Sequence, residues 1–346
     1  LLVSLVFYAW GEPKYILLML VSILVGFFAG ILIGHCAGQS RAKHILILAA
    51  GIHLLLLAFF KYGNFLITNW NAVTQSSVPL LQVALPIGIS FYTFQILSYE
   101  IDVYRGKVPA QRNLISLAAY VAMFPQLIAG PIVYHSELIP QSRDPENRRL
   151  HFTNLSRGLY AFALGLAKKV LIADTLSKVV TIGYDNIPEL NTFSTLMVMI
   201  CYSLQIYFDF SGYCDMAIGL AGMLGIRLPV NFDSPYKAIH IIDFWKRWHI
   251  TLNRFFMQNI YIPLGGNRKG RARMYINLAV VFLLSGIWHG AGWNYILWGV
   301  MHGALYIITR FALEHTGEWH RISKAVSRIF TFVFVAVAWT YFRAPD

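Results

Sequence analysis

The sequence predicts an all-α, polytopic integral membrane protein. Of its 346 residues 57% are hydrophobic and only 13% are charged, against roughly 25% charged residues in soluble domains. Apolar runs long enough to cross a bilayer recur along the chain. Because no soluble part separates from these runs, we expect a single transmembrane domain over residues 1–346. The chain starts within one apolar run and stops soon after another, which predicts that both ends are truncated.

The charge pattern identifies the lipid bilayer as the main partner. The net charge is +12, and the cations lie in short segments between the apolar runs, as the positive-inside rule describes. A nucleic-acid ligand is therefore not predicted. The three cysteines are odd in number and lack a Cys-x-x-Cys spacing, so we predict neither a disulfide framework nor a zinc site.

In the first part of the chain, apolar runs alternate with polar loops. In order, we predict a partial apolar segment at 1–10, a full span at 15–33, a basic cytoplasmic loop near Arg41, a span from 45 to about 60 and an outer loop at 64–79. Residues 80–99 contain Pro86 and Gly88 and are expected to form a broken helix. Residues 114–134 lie between two basic loops, which favours a re-entrant segment over a simple crossing.

The second part begins with residues 155–182, whose charges predict a tilted or partly interfacial helix. A run at 193–224 then returns across the membrane. Residues 226–273 are the most cationic part of the chain. Three apolar stretches follow at 275–288, 295–313 and 329–342.

His289 follows the apolar stretch 275–288, so an ionisable side chain at membrane depth is predicted. A neutral imidazole in a dry site can take the proton of a hydroxyl group that attacks an activated acyl group. Gly290 and Gly292 predict that a helix ends here. A helix C-terminus favours the imidazolium form, whereas burial opposes it. The alternative is a histidine that hydrogen-bonds between helices.

His249 lies in a cluster of aromatic and cationic residues. We expect it on a helix with Asp243 as N-cap and Trp245 on the same face. It could hold the substrate, polarise the acyl carbonyl or orient the other histidine, and the alternative is a histidine of an interfacial aromatic belt. The two histidines lack a His-Glu-x-x-His spacing and a third ligand, so no metal site is predicted.

The basic aromatic segment 237–273 is suited to an anionic acyl carrier. Coenzyme phosphates or a phosphopantetheine arm would accept charge-assisted hydrogen bonds. We predict that Lys246 and Arg247, with the neighbouring Trp245 and Trp248, hold this donor. The other cations of the segment are expected to contact lipid headgroups.

Asp209 and Asp215 are carboxylates within an apolar run, where an unpaired charge is unfavourable. We predict structural pairing with a buried cation such as Arg247. Asp243 and Trp288 are likewise predicted to have a structural role beside the site. The sequence has no Gly-x-Ser-x-Gly elbow, Walker loop or dinucleotide fingerprint, so a covalent serine enzyme is not favoured.

Four motifs in fixed order carry a resemblance to a known family. They are Tyr-Phe-Asp-Phe-Ser-Gly-Tyr at 207–213, Phe-Trp-Lys-Arg-Trp-His-Ile-Thr-Leu at 244–252, Ile-Pro-Leu-Gly-Gly-Asn at 262–267 and Trp-His-Gly at 288–290. With these motifs the chain resembles the membrane-bound O-acyltransferases over nearly its whole length. It is most similar to the members that O-acetylate alginate.

The resemblance implies a ring of transmembrane helices around a thin core with broken helices, and a core segment at 226–290 that carries the active site. It implies that His289 is catalytic and that His249 is the second active-site residue. Members of the alginate type usually continue with further helices beyond Arg343, and these are absent from this sequence.

For the reaction, the resemblance implies transfer of an acetyl group from a cytoplasmic donor towards an extracytoplasmic polysaccharide such as alginate. The expected co-substrate is acetyl-CoA, with no bound cofactor, and separate periplasmic acetyltransferase proteins are expected to complete the transfer. The expected location is the bacterial cytoplasmic (inner) membrane.

Two alternatives remain at this point. A related enzyme class transfers D-alanine to teichoic acid and takes it from an acyl carrier protein. A membrane transporter would also contain broken helices and intramembrane charges, although we find no internal repeat of the kind that transporters commonly have.

Overall fold

The computed structural model describes residues 1–149, 151–316 and 323–344. Every regular element in these ranges is helical. By length and composition, six of the described helices can cross a membrane, at Ile16–His35, Ser40–Thr74, Thr192–Met223, Arg271–His289, Trp293–His315 and Lys324–Arg343. The predicted class, an all-α polytopic membrane protein, is therefore confirmed.

The chain divides into two compact units. Unit 1 comprises Leu1–Gly158 and Leu220–Leu228, and unit 2 comprises Leu159–Gly219 and Pro229–Asp346. The single transmembrane domain predicted for residues 1–346, its core segment at 226–290 and the ring of helices stay predictions.

Unit 1 contains seven complete α-helices within the described residues. They are α1 (Leu2–Gly11), α2 (Ile16–His35), α3 (Ser40–Thr74), α4 (Ile89–Tyr104), α5 (Leu114–Val121), α6 (Phe124–Leu127) and α7 (His135–Arg143). Small residues on α2 allow α4 to pack closely against it, as is common between membrane helices. A Cβ atom on Gly26 would lie 2.5 Å from Cγ2 of Ile96, and one on Gly30 would overlap the hydroxyl of Tyr99.

Helix α3 is longer than the sequence predicts, because residues 64–74 are helical and not part of a loop. The apolar run ends near residue 60, but the backbone hydrogen bonds of a helix do not require apolar side chains. The side chain of Asn64 binds the backbone of the segment that follows α3. Nδ2 of Asn64 donates to the carbonyl of Leu81 at 3.1 Å, and the N–H of Leu81 donates to Oδ1 of Asn64 at 2.7 Å.

Residues 80–88 correct a second prediction. They do not form the first half of a broken helix, since α4 begins only at Ile89. Gly88 precedes it with φ +74°, a left-handed conformation that favours glycine, and Pro86 cannot donate a helical hydrogen bond. Residues 114–134 contain two short helices, α5 and α6, of 8 and 4 residues, and the re-entrant course predicted for this segment stays a prediction.

The remaining helices carry the candidate site. They are α8 (Phe152–Ala167), α9 (Asp174–Asp185), α10 (Thr192–Met223), α11 (Ile241–Arg247), α12 (Ile250–Phe256), α13 (Arg271–His289), α14 (Trp293–Thr316) and α15 (Lys324–Arg343). A π-helical segment, Lys168–Ala173, joins α8 to α9. In unit 2, backbone contact between α13 and α14 is made by glycines: a Cβ atom on Gly286 would lie 2.5 Å from the carbonyl oxygen of Tyr295.

The core of unit 2 is built largely from aromatic side chains. Five of them are at most 6% exposed: Phe244, Trp245, Trp248, Trp298 and Trp339. These five residues lie on α11, α14, α15 and the segment between α11 and α12, and they belong to one cluster of buried residues to which α9, α10 and α13 also contribute. Large aromatic rings exclude water efficiently, so the polar groups among them lie in dry surroundings.

Candidate active site

His289 is the last residue of α13, and Gly290 follows it in an extended conformation. The helix end predicted from the glycines is therefore confirmed. Gly290 is required here because a Cβ atom would overlap the ring of Tyr295. The imidazole of His289 contacts three aromatic rings, with centroid distances of 5.0 Å to Trp288, 4.9 Å to Trp298 and 5.3 Å to Phe342.

The position of Trp298 against His289 follows from the close crossing of α13 and α14. Gly299 lies next to Trp298 in the chain, and a Cβ atom on Gly299 would lie 2.6 Å from the carbonyl oxygen of Phe282 and 3.1 Å from the Cα atom of Gly286. Two glycines thus bring the helices together and set the indole of Trp298 beside the imidazole.

His249 does not lie within a helix capped by Asp243, so this prediction is wrong. Helix α11 starts after His240, whose Nδ1 accepts a hydrogen bond from the N–H of Asp243 at 2.9 Å. It ends at Arg247, and His249 precedes α12 with φ +46°. Such a left-handed conformation is uncommon for a residue other than glycine and is often found at functional sites.

The imidazole of His249 is buried, with 1% of the residue exposed. Its Nδ1 lies 3.2 Å from Oδ1 of Asn231. The rings of Phe210, Phe232 and Trp288 lie around it at centroid distances of 4.8, 6.5 and 6.2 Å. Burial in this aromatic environment lowers the pKa of His249 to about 3, because the charged form loses its hydration.

Trp288 connects the two histidines. Its indole contacts His249 at a centroid distance of 6.2 Å and His289 at 5.0 Å. Trp288 is itself 8% exposed. The structure therefore brings both predicted catalytic residues against one buried tryptophan, although they are 40 residues apart in the chain.

Asp209 and Asp215 have cationic partners, as predicted, but the partner is not Arg247. Lys169 Nζ lies 2.8 Å from Oδ1 of Asp209, and Lys168 Nζ lies 2.5 Å from Oδ2 of Asp215. Both lysines are in the π-helical segment after α8. Hydrogen bonds from Lys169 to Asp174 and Asp209 raise the pKa of its ammonium group. The sequence could not identify these pairs because the residues are 40 and 47 positions apart.

The four residues predicted to hold the donor, Trp245, Lys246, Arg247 and Trp248, lie in different environments. Arg247 donates from Nε to Oδ1 of Asp243 at 2.8 Å and lies 3.3 Å from Oδ2 of Asp233. The hydrogen bond to Asp243, together with the negative charges of Asp243 and Asp233, raises the pKa of its guanidinium. Because two carboxylates balance this cation, the geometry favours a structural role for Arg247, and the structural role predicted for Asp243 stays a prediction.

Trp245 and Trp248 also differ from the prediction of a donor-binding surface. They are 6% and 2% exposed, respectively, and Trp245 packs on Trp298 with a ring distance of 5.7 Å. Their rings form the dry core behind the histidines. Lys246, by contrast, is exposed.

Sequence reasoning missed Asn231 and Trp298. The amide of Asn231 is 1% exposed and contacts His249, and the indole of Trp298 contacts His289. Neither stands at a helical or motif spacing from its histidine, so only the fold relates them. No group of three His, Cys, Asp or Glu side chains suited to a metal ion occurs within residues 1–149, 151–316 and 323–344.

Comparison with known proteins gives a consistent family. The model of the membrane-bound O-acyltransferase family matches residues 51–344. The peptidoglycan O-acetyltransferase of Helicobacter pylori is 42% identical over 370 residues, covering 100% of this chain and 70% of the relative. The protein named probable alginate O-acetylase AlgI of Pseudomonas putida is 43% identical over 352 residues, covering 100% and 71%. The teichoic acid D-alanyltransferase of Bacillus subtilis is 25% identical over 268 residues, covering 74% and 68%.

Proposed function

Because the chain belongs to the membrane-bound O-acyltransferase family, we propose that it moves an acetyl group from acetyl-CoA across the membrane towards an extracytoplasmic glycan. Two similar relatives are named for O-acetylation, one of alginate and one of peptidoglycan. The D-alanyltransferase relative has much lower identity. Acetyl is therefore the favoured acyl group, and alginate is one candidate acceptor among glycans.

The observation that carries the proposal is the pair of histidines against Trp288 in a dry aromatic core. His289 takes the proton of the attacking hydroxyl group, whose oxygen forms the new bond to the acetyl carbon. The carbon–sulfur bond of the thioester then breaks, and the leaving thiolate receives the proton back from the imidazolium of His289. His249 assists by binding the substrate within the same core.

Lys246 is proposed to contact the phosphates of the donor, since an exposed ammonium group is suited to a phosphate as a point charge. The positive-inside pattern assigns the basic segment to the cytoplasmic side, where acetyl-CoA is available. Separate periplasmic acetyltransferase proteins are proposed to pass the group to the glycan, and the location is proposed to be the bacterial cytoplasmic membrane.

The test uses the purified protein in lipid nanodiscs with acetyl-CoA labelled in the acetyl group. We expect release or transfer of label by the wild type, a loss of at least about 100-fold in His289→Ala, and a partial loss in His249→Ala. His315→Ala is the matched control, because His315 is an exposed histidine of the same unit whose Nδ1 lies 2.8 Å from the carbonyl oxygen of Phe311.

Normal transfer by folded His289→Ala would reject the general-base role. Transfer only from a D-alanyl-loaded carrier protein would favour the teichoic-acid type of donor instead. Uptake of a solute without acyl transfer would support the transporter alternative.

A further inference from the structure

We infer that Asn231 sets the position of the ring proton on His249, so that His249 offers Nε2 to the substrate as a hydrogen-bond acceptor. Asn231 is then a positioning residue. An acceptor at Nε2 excludes one of the roles that the sequence left open for His249, polarisation of the acyl carbonyl. A carbonyl oxygen is itself an acceptor and cannot donate a hydrogen bond to Nε2. The identity of the substrate depends on the proposed function, whereas the state of the imidazole ring does not.

The orientation of the Asn231 amide follows from its neighbours. The backbone N–H of Thr251 lies 3.2 Å from Oδ1, and a backbone N–H can only donate. The hydroxyl of Thr251 donates to the same atom at 3.0 Å. This atom is therefore the amide oxygen, and the amide nitrogen donates in another direction, to Sγ of Cys214 at 3.4 Å.

The same oxygen lies 3.2 Å from Nδ1 of His249. A hydrogen bond requires one donor, and the amide oxygen has no proton to give, so Nδ1 carries the ring proton. A neutral imidazole has a single ring proton, and the dry surroundings of His249 keep it neutral. Nε2 is consequently unprotonated and carries a lone pair.

Nε2 of His249 is buried and has no hydrogen-bond partner among residues 1–149, 151–316 and 323–344. A buried acceptor without a donor is unfavourable, and a donor group of the substrate would satisfy it. The matching groups are the O–H of the group that accepts the acetyl in this site and an amide N–H of the pantetheine arm. The acetyl carbonyl does not match.

The backbone holds His249 in this arrangement. The N–H of Ile250 donates to the carbonyl of Asn231 at 3.0 Å, and the N–H of Asp233 donates to the carbonyl of Arg247 at 2.9 Å. These two bonds enclose His249 and keep its left-handed conformation, φ +46°. The segment that carries Asn231 thus fixes both the backbone and the ring of His249.

Nitrogen NMR of the full chain in nanodiscs, with isotope-labelled histidine, tests the ring directly and needs no substrate. The spectrum of His249→Phe identifies the His249 signals by difference. Between about pH 5 and pH 8, where an ordinary histidine titrates, we expect Nδ1 protonated and Nε2 unprotonated. In Asn231→Ala we expect a mixture of the two tautomers. A wild-type ring protonated at Nε2 would overturn the inference.

The dependence of acetyl transfer on pH tests whether Nε2 of His249 acts as a hydrogen-bond acceptor. Asn231→Asp keeps an acceptor beside Nδ1 but adds a negative charge, which raises the pKa of His249. We expect acetyl transfer by this variant to fall at least about tenfold below neutral pH relative to wild type, because a protonated Nε2 cannot accept. An unchanged pH profile, with the Nδ1 tautomer retained in the spectrum, would reject the acceptor role.

Asn277→Ala is the matched structural control. Asn277 is fully buried in the same unit, and its amide donates to the carbonyl of Gly266 at 3.1 Å. Its loss removes a buried amide without contact to His249, so the tautomer and the pH profile should stay those of wild type. A wild type without acetyl transfer, but with the expected spectrum, would reject the proposed function and retain the role of Asn231.

Discussion

His53 on α3 and Glu100 on α4 form a buried pair, with Nε2 of His53 3.1 Å from Oε1 of Glu100 and both side chains at most 1% exposed. The pair connects two helices of unit 1 and takes no part in the proposed reaction. Removal of one partner of a buried pair leaves an uncompensated polar group, whereas apolar replacement of both is often neutral.

We therefore expect Glu100→Leu to lower the free energy of unfolding by about 3–5 kcal/mol. The double variant His53→Leu/Glu100→Leu should recover most of this loss. Unfolding in mixed detergent measures both values. A double variant that is no more stable than Glu100→Leu would contradict this expectation, because the loss would then not come from His53 left without its partner.

The burial of His249 makes stability depend on pH. Its pKa is lowered from 6.5 to about 3 in the folded protein, so between these values the unfolded chain binds a proton that the folded chain does not. The contribution of His249 to the free energy of unfolding is therefore complete above about pH 6.5 and decreases as the pH falls below this value.

Between about pH 7 and pH 5 we expect a loss of about 2 kcal/mol from this residue. His249→Phe keeps an aromatic ring without the titrating group and should lack this part of the pH dependence. Unfolding curves of the two proteins at both pH values measure the difference. Identical pH dependence in the two proteins would show that His249 is not held neutral.

The crossing of α13 and α14 depends on glycine. In Gly286→Ala the new methyl group would lie 2.5 Å from the carbonyl oxygen of Tyr295, so the helices must separate and Trp298 must move relative to His289. We expect acetyl transfer to fall at least about tenfold, with a stability loss of about 1–3 kcal/mol from overpacking.

Gly51→Ala is the control for the crossing. Gly51 lies in α3, and a Cβ atom there meets no other atom within 4 Å. Alanine is favoured over glycine by about 1 kcal/mol within a helix, so this variant should be neutral or stabilised. Full activity in Gly286→Ala would mean that the site tolerates a wider crossing.

Lys246 and Arg247 are adjacent in the chain but differ in their partners, which allows a matched test of donor binding. We expect Lys246→Gln to raise the KM for acetyl-CoA about 3–10-fold with little change in kcat, since a phosphate contact contributes uniform binding. Arg247→Gln should instead lower the free energy of unfolding, because Asp233 and Asp243 lose their cation. Steady-state kinetics and detergent unfolding distinguish the two, and a KM effect confined to Arg247→Gln would reverse the assignment.

The sequence predicted the class, most of the long apolar helices and the end of α13 correctly because these follow from local composition and from glycine. It was wrong about the helix around His249. Asp243 has the chemistry of an N-cap, but His240 takes that position, and the chain turns at Trp248. A cap depends on which of two suitable side chains the tertiary contacts bring to the free N–H groups.

The sequence by itself determined that this protein spans a membrane, that His249 and His289 are the candidate catalytic pair, and that the carboxylates of α10 require cations. Apolar run length, charge placement and motif order contain this information locally. Only the tertiary structure decided that Lys168 and Lys169 supply the cations and that Asn231 orients His249. These are contacts between residues 18 to 47 positions apart, and they depend on how the helices pack, which no local pattern encodes.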